Sequence, residues 1–335
     1  MKADHIHGLL PVALALGGNM LVTVIKTAAA FTSGSSALFG EAVHSFADTL
    51  NQALLLIGIV RSRKKPDRAF HYGYGSERFF WALISACGVF FIGAGVTIYH
   101  GLHSLLYAEE ITITPIIFIV LAVSLVIETI TLAAAVREIR RTHPQSSWKE
   151  RIDEADPATL AVLLEDGVAV LGVVVATVAV GISYLTGNAL WDALGSLVIG
   201  SLLAVVAVAL IAKNRSYLIG RSIPEDEREA ILELLNGEPA IERVIDFKSE
   251  VLDIGVYRIK CEIEFNGPSL FDEAYQQENL RREYDEVKDD YEAFKRFCVD
   301  YADRIPRLMG RKIDEIEQLI RQRYPSVRHI DIEVN

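Results

Sequence analysis

Cysteine is scarce in this chain: Cys87, Cys261 and Cys298 are the only three in 335 residues, they lie far apart, and they form no CxxC pair. Neither a disulfide framework nor a thiolate zinc cluster is therefore indicated. Positive charge is also in deficit, with 33 Lys and Arg against 44 Asp and Glu and a net charge of −11. An acidic surface repels phosphate backbones, which argues against a nucleic-acid partner and makes cations the better fit. No HExxH motif occurs, and His44 is followed by Ser45, so an intramembrane metalloprotease would lack its base. The HYGYG stretch at 71–75 has no Lys-Ser/Thr ending and no soluble strand before it, so it is not a phosphate loop. Internal repeats of fixed period and low-complexity tracts are missing too. The chain reads as something other than an enzyme.

What the sequence does have is apolar length. Half of it (51%) is hydrophobic and the mean hydropathy is +0.28. The averages conceal two regions. Residues 1–213 hold 14 basic and 16 acidic residues, whereas 214–335 hold 19 and 28. Six apolar segments, at 8–30, 36–60, 79–106, 113–136, 158–186 and 190–212, each reach the roughly 20 residues a helix needs to cross a hydrocarbon core. The first lacks a short apolar core with a cleavage site and is expected to be retained. Two links carry the positive charge: Arg61, Arg63, Lys64, Lys65, Arg68 and Arg78 in one, and Arg137, Arg140, Arg141, Lys149 and Arg151 in the other. The three opposite links contain no Lys or Arg, so both termini are expected on the cytoplasmic side of the cell (inner) membrane.

Beyond Lys213 the pattern is α+β. Residues 225–236 read as a helix with acids in its first turn, and 241–252, 256–265 and 327–334 read as strands. In the second strand Tyr257, Ile259, Cys261, Ile263 and Phe265 alternate with charged residues. A charged helical insertion is expected near 270–304 and a separate helix over 306–323. The fold class expected is a six-helix membrane domain, 1–213, followed by a cytoplasmic α+β domain of ferredoxin-like, open-faced form, 214–335.

Ionised side chains at bilayer depth cost about 2.5 to 3.5 kcal/mol or more, so each needs a reason. In the second span Glu41, His44 and Asp48 follow at spacings of three and four, with Asn51 and Gln52 completing the stripe; on a helix they share a face. In the fifth span Glu165 and Asp166 are the only charges. Neighbours on a helix point about 100° apart, so Asp166 is expected to face the site, with Glu165 either a fourth ligand or a proton-handling group. One imidazole and two or three carboxylates suit a four-coordinate divalent metal of the zinc type, with ligands about 2 Å away. Imidazole argues against magnesium and calcium, but it tolerates Mn2+, Fe2+ or Co2+. The same groups bind protons, so metal and protons compete for the site. Glu128 and Asn19, near the middle of spans four and one, are candidates for a proton or ion path or for helix-packing hydrogen bonds. Glu41 and Gln52 join them. Lys26 and Asp192 lie toward span ends and are expected to snorkel to the interface.

The six spans, His44, Ser45 and Asp48, the HYGYGSERFF stretch and the α+β domain resemble the cation diffusion facilitator family. HSFADTLNQALLLIG (44–58) and LLEDGVAVLG (163–172) are similar to its branch containing zinc transporter nine. The resemblance implies a homodimer that exports Zn2+ in exchange for protons by alternating access. It assigns metal ligation to His44, Asp48 and Asp166. The family's remaining ligand position, four before Asp166, holds Val162 here, which leaves Glu165, a water or Gln52 as the fourth donor. The resemblance also points to accessory metal at Asp67 and His71, and at His329 and Asp331. The departure at Val162 keeps open a metal-responsive scaffold without transport.

Overall fold

Two residues, Gly34 and Ser35, turn the chain between its first two long helices, and glycine permits this because its φ there is +67°. A computed structural model of the chain describes residues 9–107, 115–142, 157–274 and 277–335. It divides into two compact units, Met1–Ile219 and Gly220–Asn335.

The first unit is helical: α1 (Leu9–Ser33), α2 (Ser36–Ser62), α3 (Glu77–Gly88), α4 (Gly95–Tyr107), α5 (Pro115–Thr142), α6 (Pro157–Thr186) and α7 (Leu190–Leu218). A π turn, Val89–Ala94, joins α3 to α4 without a break. Among the described residues, four stretches are long and apolar enough to cross a membrane: Leu38–Ser62, Glu77–Tyr107, Leu163–Thr186 and Leu190–Leu218. The last helix runs past Lys213 to Leu218 before the chain enters the second unit.

Apolar side chains point both ways in this unit. Leu38, Ala47, Val173, Ala176, Ile199 and Leu203 are buried between helices, whereas Phe31, Phe91, Tyr99, Leu106 and Val205 are at least two-thirds exposed. An exposed apolar shell of this extent suits lipid rather than water. Small residues bring the helices close. A Cβ on Gly200 would lie 2.6 Å from Ile98 Cγ1 and 3.1 Å from the Ile98 amide nitrogen, and one on Gly101 would lie 3.2 Å from the Leu197 amide nitrogen. Between these contacts the Ser196 hydroxyl donates to the Thr97 carbonyl at 3.1 Å. Helices α4 and α7 are thus locked backbone to backbone, as small residues permit in membranes.

The second unit begins with α8 (Glu225–Asn236), whose first turn carries three acids where the helix dipole favours them. Strands β1 (Ile241–Asp253) and β2 (Val256–Phe265) form an antiparallel hairpin through Gly255, φ +67°. Helices α9 (Gly267–Ala274), α10 (Gln277–Val287) and α11 (Tyr291–Arg323) then return the chain to β3 (Val327–Val334), which pairs parallel to β2. The sheet order is β1-β2-β3. Ile259, Cys261 and Ile263 of the central strand are buried, and burial pushes the Cys261 thiol up to about 12, so it behaves as a core apolar group.

The expected break near residue 305 is absent, because α11 continues through Pro306. Proline removes one amide donor and leaves the carbonyl four residues earlier, at Ala302, unpaired. Ala302 is exposed, so water can take that bond and the helix need not end.

Candidate functional site

Helix α2 presents Glu41, His44, Asp48 and Asn51 at spacings of three and four, and all four are buried. The N-terminus of this helix is held from a distance. Ser35 accepts the Leu38 amide at 3.1 Å, and Asp192 of α7 accepts the Ser35 hydroxyl at 2.7 Å and the Ser36 amide. Asp192 therefore does not snorkel. It is 1% exposed and supplies the negative charge that a helix N-terminus favours.

His44 Nε2 stands 3.5 Å from Asp48 Oδ2. Both imidazole nitrogens and Asp48 Oδ1 are buried without a hydrogen-bond partner. Buried donor and acceptor atoms are paired in the great majority of cases, so an unpaired set concentrated here points to a ligand. Helix α6, which carries Glu165 and Asp166, packs against α2. The Asn51 amide donates to Glu165 Oε2, and the Ser85 hydroxyl of α3 donates in turn to Asn51 Oδ1. Glu165 Oε1 and Gln52 Oε1 are buried and unpartnered. Asp166 is half-buried and at hydrogen-bonding distance from the Thr131 side chain of α5. Asp48 lies within the electrostatic reach of Glu165, Glu128, Asp166 and Lys26.

His44, Asp48, Glu165 and Asp166 thus lie on one helix pair, with Glu165 held by Asn51 of α2 and, through it, by Ser85 of α3. Among the described residues they do not close into one coordination shell: no group of three or more His, Cys, Asp or Glu side chains is near enough to hold a metal ion. The role of Asn51 and Ser85 in fixing Glu165 has no local sequence signal, since 114 residues separate Asn51 from its partner.

Glu41 and Glu128 converge on Lys26, whose Nζ is 3.1 Å from Glu41 Oε2 and 3.2 Å from Glu128 Oε1. Lys26 is 0% exposed, against the expectation that it reaches the interface. Its ammonium finds two carboxylates inside the bundle. The signal available in the sequence was charge balance, since neither acid has a cationic partner on its own helix. Asn19 is half-buried, and its backbone carbonyl accepts the Thr23 hydroxyl at 2.7 Å.

The other candidate pairs have different surroundings. Asp67 accepts the Ala69 and Phe70 amides on Oδ1, and Lys64 and the Tyr74 hydroxyl on Oδ2. The Tyr74 hydroxyl first, then Lys64 and the two amides, hold its carboxyl well below the usual range. Both of its oxygens are engaged in shaping the loop, and His71 beside it is exposed. On β3, His329 pairs with Arg258 and Asp331 with Lys260 across the strands, and Arg258 lies 3.9 Å from Asp331. Partial burial, then Arg258, Arg321 and Arg328, hold His329 below its ordinary value.

Residues 12–219 match the family description "Cation efflux transmembrane domain". The chain is 37% identical over 329 residues to the human "Proton-coupled zinc antiporter SLC30A9, mitochondrial", covering 96% of this chain and 58% of that relative. It therefore spans less than two thirds of that relative's length. It is 34% identical over 342 residues to "Metal tolerance protein C4" of Arabidopsis thaliana, covering 98% and 74%. It is 24% identical over 260 residues to "Uncharacterized transporter MJ0449" of Methanocaldococcus jannaschii, covering 77% and 86%. With the family match spanning more than half its length, the chain belongs to the cation efflux, or cation diffusion facilitator, family of multi-pass membrane transporters and is not an enzyme.

Proposed function

We propose that the chain is a proton-coupled exporter of divalent metal, with Zn2+ as first substrate, and that His44, Asp48, Asp166 and Glu165 bind the ion in transit. One observation carries this reading: a buried His–Asp pair with unpartnered donor atoms lies on α2, which packs against the helix carrying Glu165 and Asp166. The human relative, by name a proton-coupled zinc antiporter, supports zinc and protons, and one imidazole among oxygen donors also tolerates Mn2+, Fe2+ or Co2+. Carboxylates this deep must be compensated by a proton or a metal ion, so loading one releases the other. Closing the shell requires α2 and α6 to shift, which couples binding to alternating access.

On this reading all six long helices cross the membrane, both termini face the cytoplasm as the basic links require, and the second unit is a cytoplasmic ferredoxin-like module that pairs two copies. The test is flux in reconstituted vesicles. Zinc should move against an opposed proton gradient, and Asp48→Ala or Asp166→Ala should abolish it. Undiminished flux in both variants would overturn the site. Competition among Zn2+, Mn2+, Fe2+ and Co2+ in the same vesicles ranks the substrates.

A further inference from the structure

The cluster of Lys26, Glu41 and Glu128 joins three helices and is not part of the proposed metal shell. Lys26 comes from α1, Glu41 from α2 and Glu128 from α5, and the lysine nitrogen stands almost equidistant from the two carboxylates at 3.1 and 3.2 Å. Two acids with one ammonium leave a net negative charge. The second oxygen of Glu41, Oε1, is buried and has no hydrogen-bond partner. It points at α6, where a Cβ on Gly172 would lie 2.2 Å away, so glycine at that position makes room for the carboxylate. Glu41 lies one turn before His44 on the same face of α2. The cluster therefore adjoins the His44–Asp48 pair.

We propose that Glu41 and Glu128 form a second divalent-cation position in the transport path, and that Lys26 is a tethered cation occupying it in this conformation. The inference rests on the transport reading above. A primary ammonium offers three donors and one charge. It satisfies a pair of carboxylates when no metal is there, and it can be displaced by an ion of higher charge without removing a covalent ligand from the site. In this arrangement an ion leaving His44 and Asp48 meets Glu41 and Glu128 next. The returning ammonium then expels it and blocks back-flow.

The experiment counts bound zinc per full-length chain in detergent after equilibrium dialysis, for Asp48→Ala alone and for Asp48→Ala combined with Lys26→Gln. Asp48→Ala alone should lose one zinc relative to the native chain. Adding Lys26→Gln should restore one, because the vacated carboxylates are free to hold it. If the double variant binds no more zinc than Asp48→Ala, the tethered-cation proposal fails. If Asp48→Ala itself loses nothing, the transport-site reading fails instead. Should the double variant not fold, the neutral triple variant Lys26→Gln, Glu41→Gln, Glu128→Gln keeps the cluster polar and uncharged. Its zinc flux in vesicles should fall at least tenfold, and a native rate would overturn the proposal.

Discussion

Replacing Gly172 by alanine should weaken the protein through one oxygen atom. On general grounds the change is favourable, since alanine exceeds glycine by about 0.8–1.0 kcal/mol in a helix interior. In α6, however, the new methyl would stand 2.2 Å from Glu41 Oε1 and 3.4 Å from Glu41 Cδ. To reach ordinary contact the carboxylate must retreat by roughly 1 Å. Its other oxygen is held by Lys26 at 3.1 Å, so the retreat strains a buried ion pair. Breaking such a pair outright costs about 3–5 kcal/mol, and overpacking about 1–3 kcal/mol. A partial displacement, offset by helix propensity, leaves a net loss of about 1–2 kcal/mol. The assay is a double-mutant cycle on thermal unfolding of the full chain in detergent, with Gly172→Ala, Glu41→Ala and both together. Glu41→Ala removes the obstructing oxygen, so in that background Gly172→Ala should become neutral or stabilising. If Gly172→Ala raises the midpoint equally in both backgrounds, the reasoning is refuted.

Asn51→Leu removes the amide that holds Glu165 and should weaken zinc about 10- to 100-fold, the usual effect of losing a group that orients a ligand; the zinc dependence of vesicle flux measures it. At Gly200 a methyl meets the backbone of Ile98, which cannot rotate away, so Gly200→Ala should cost about 1–3 kcal/mol and lower the thermal midpoint. Asp192→Ala removes the acceptor for Ser35 and the Ser36 amide, and should cost about 1–3 kcal/mol in the same measurement, with Asp192→Asn recovering part of it. His329 binds its proton less readily folded than unfolded, so the unfolded chain takes up more protons as pH drops below about 6.5 and stability falls with acidification. Hydrogen exchange of the β3 amides between pH 7.5 and 5.5 should show this slope, and His329→Gln should flatten it.

The parts legible in the sequence were those carried by local periodicity. The alternation from Tyr257 to Phe265 marks β2, and the spacing of Glu41, His44 and Asp48 marks one face of α2. The misread positions are those whose environment comes from distant segments. Nearness to a span end suggests an interfacial position for Lys26 and Asp192, yet both are enclosed by side chains 15 to 157 residues away. Pro306 signals a break, but where its freed carbonyl faces solvent the helix bears the loss. The π turn at Val89–Ala94 has no counterpart in local composition, because i→i+5 bonding leaves no mark on the apolar pattern.

The Lys26 cluster also constrains how the chain enters a bilayer. Helix α1 contains no acidic residue, so until α2 follows it its ammonium is bare, at about 2.5–3.5 kcal/mol on insertion scales. Glu41 follows 15 residues later, through a two-residue turn, and neutralises it; Glu128 follows only after 102. The smallest piece of chain in which Lys26 is neutralised is therefore the α1–α2 hairpin, not helix α1 alone. Biosynthesis should release that hairpin into lipid as one unit and leave a place for α5 to dock.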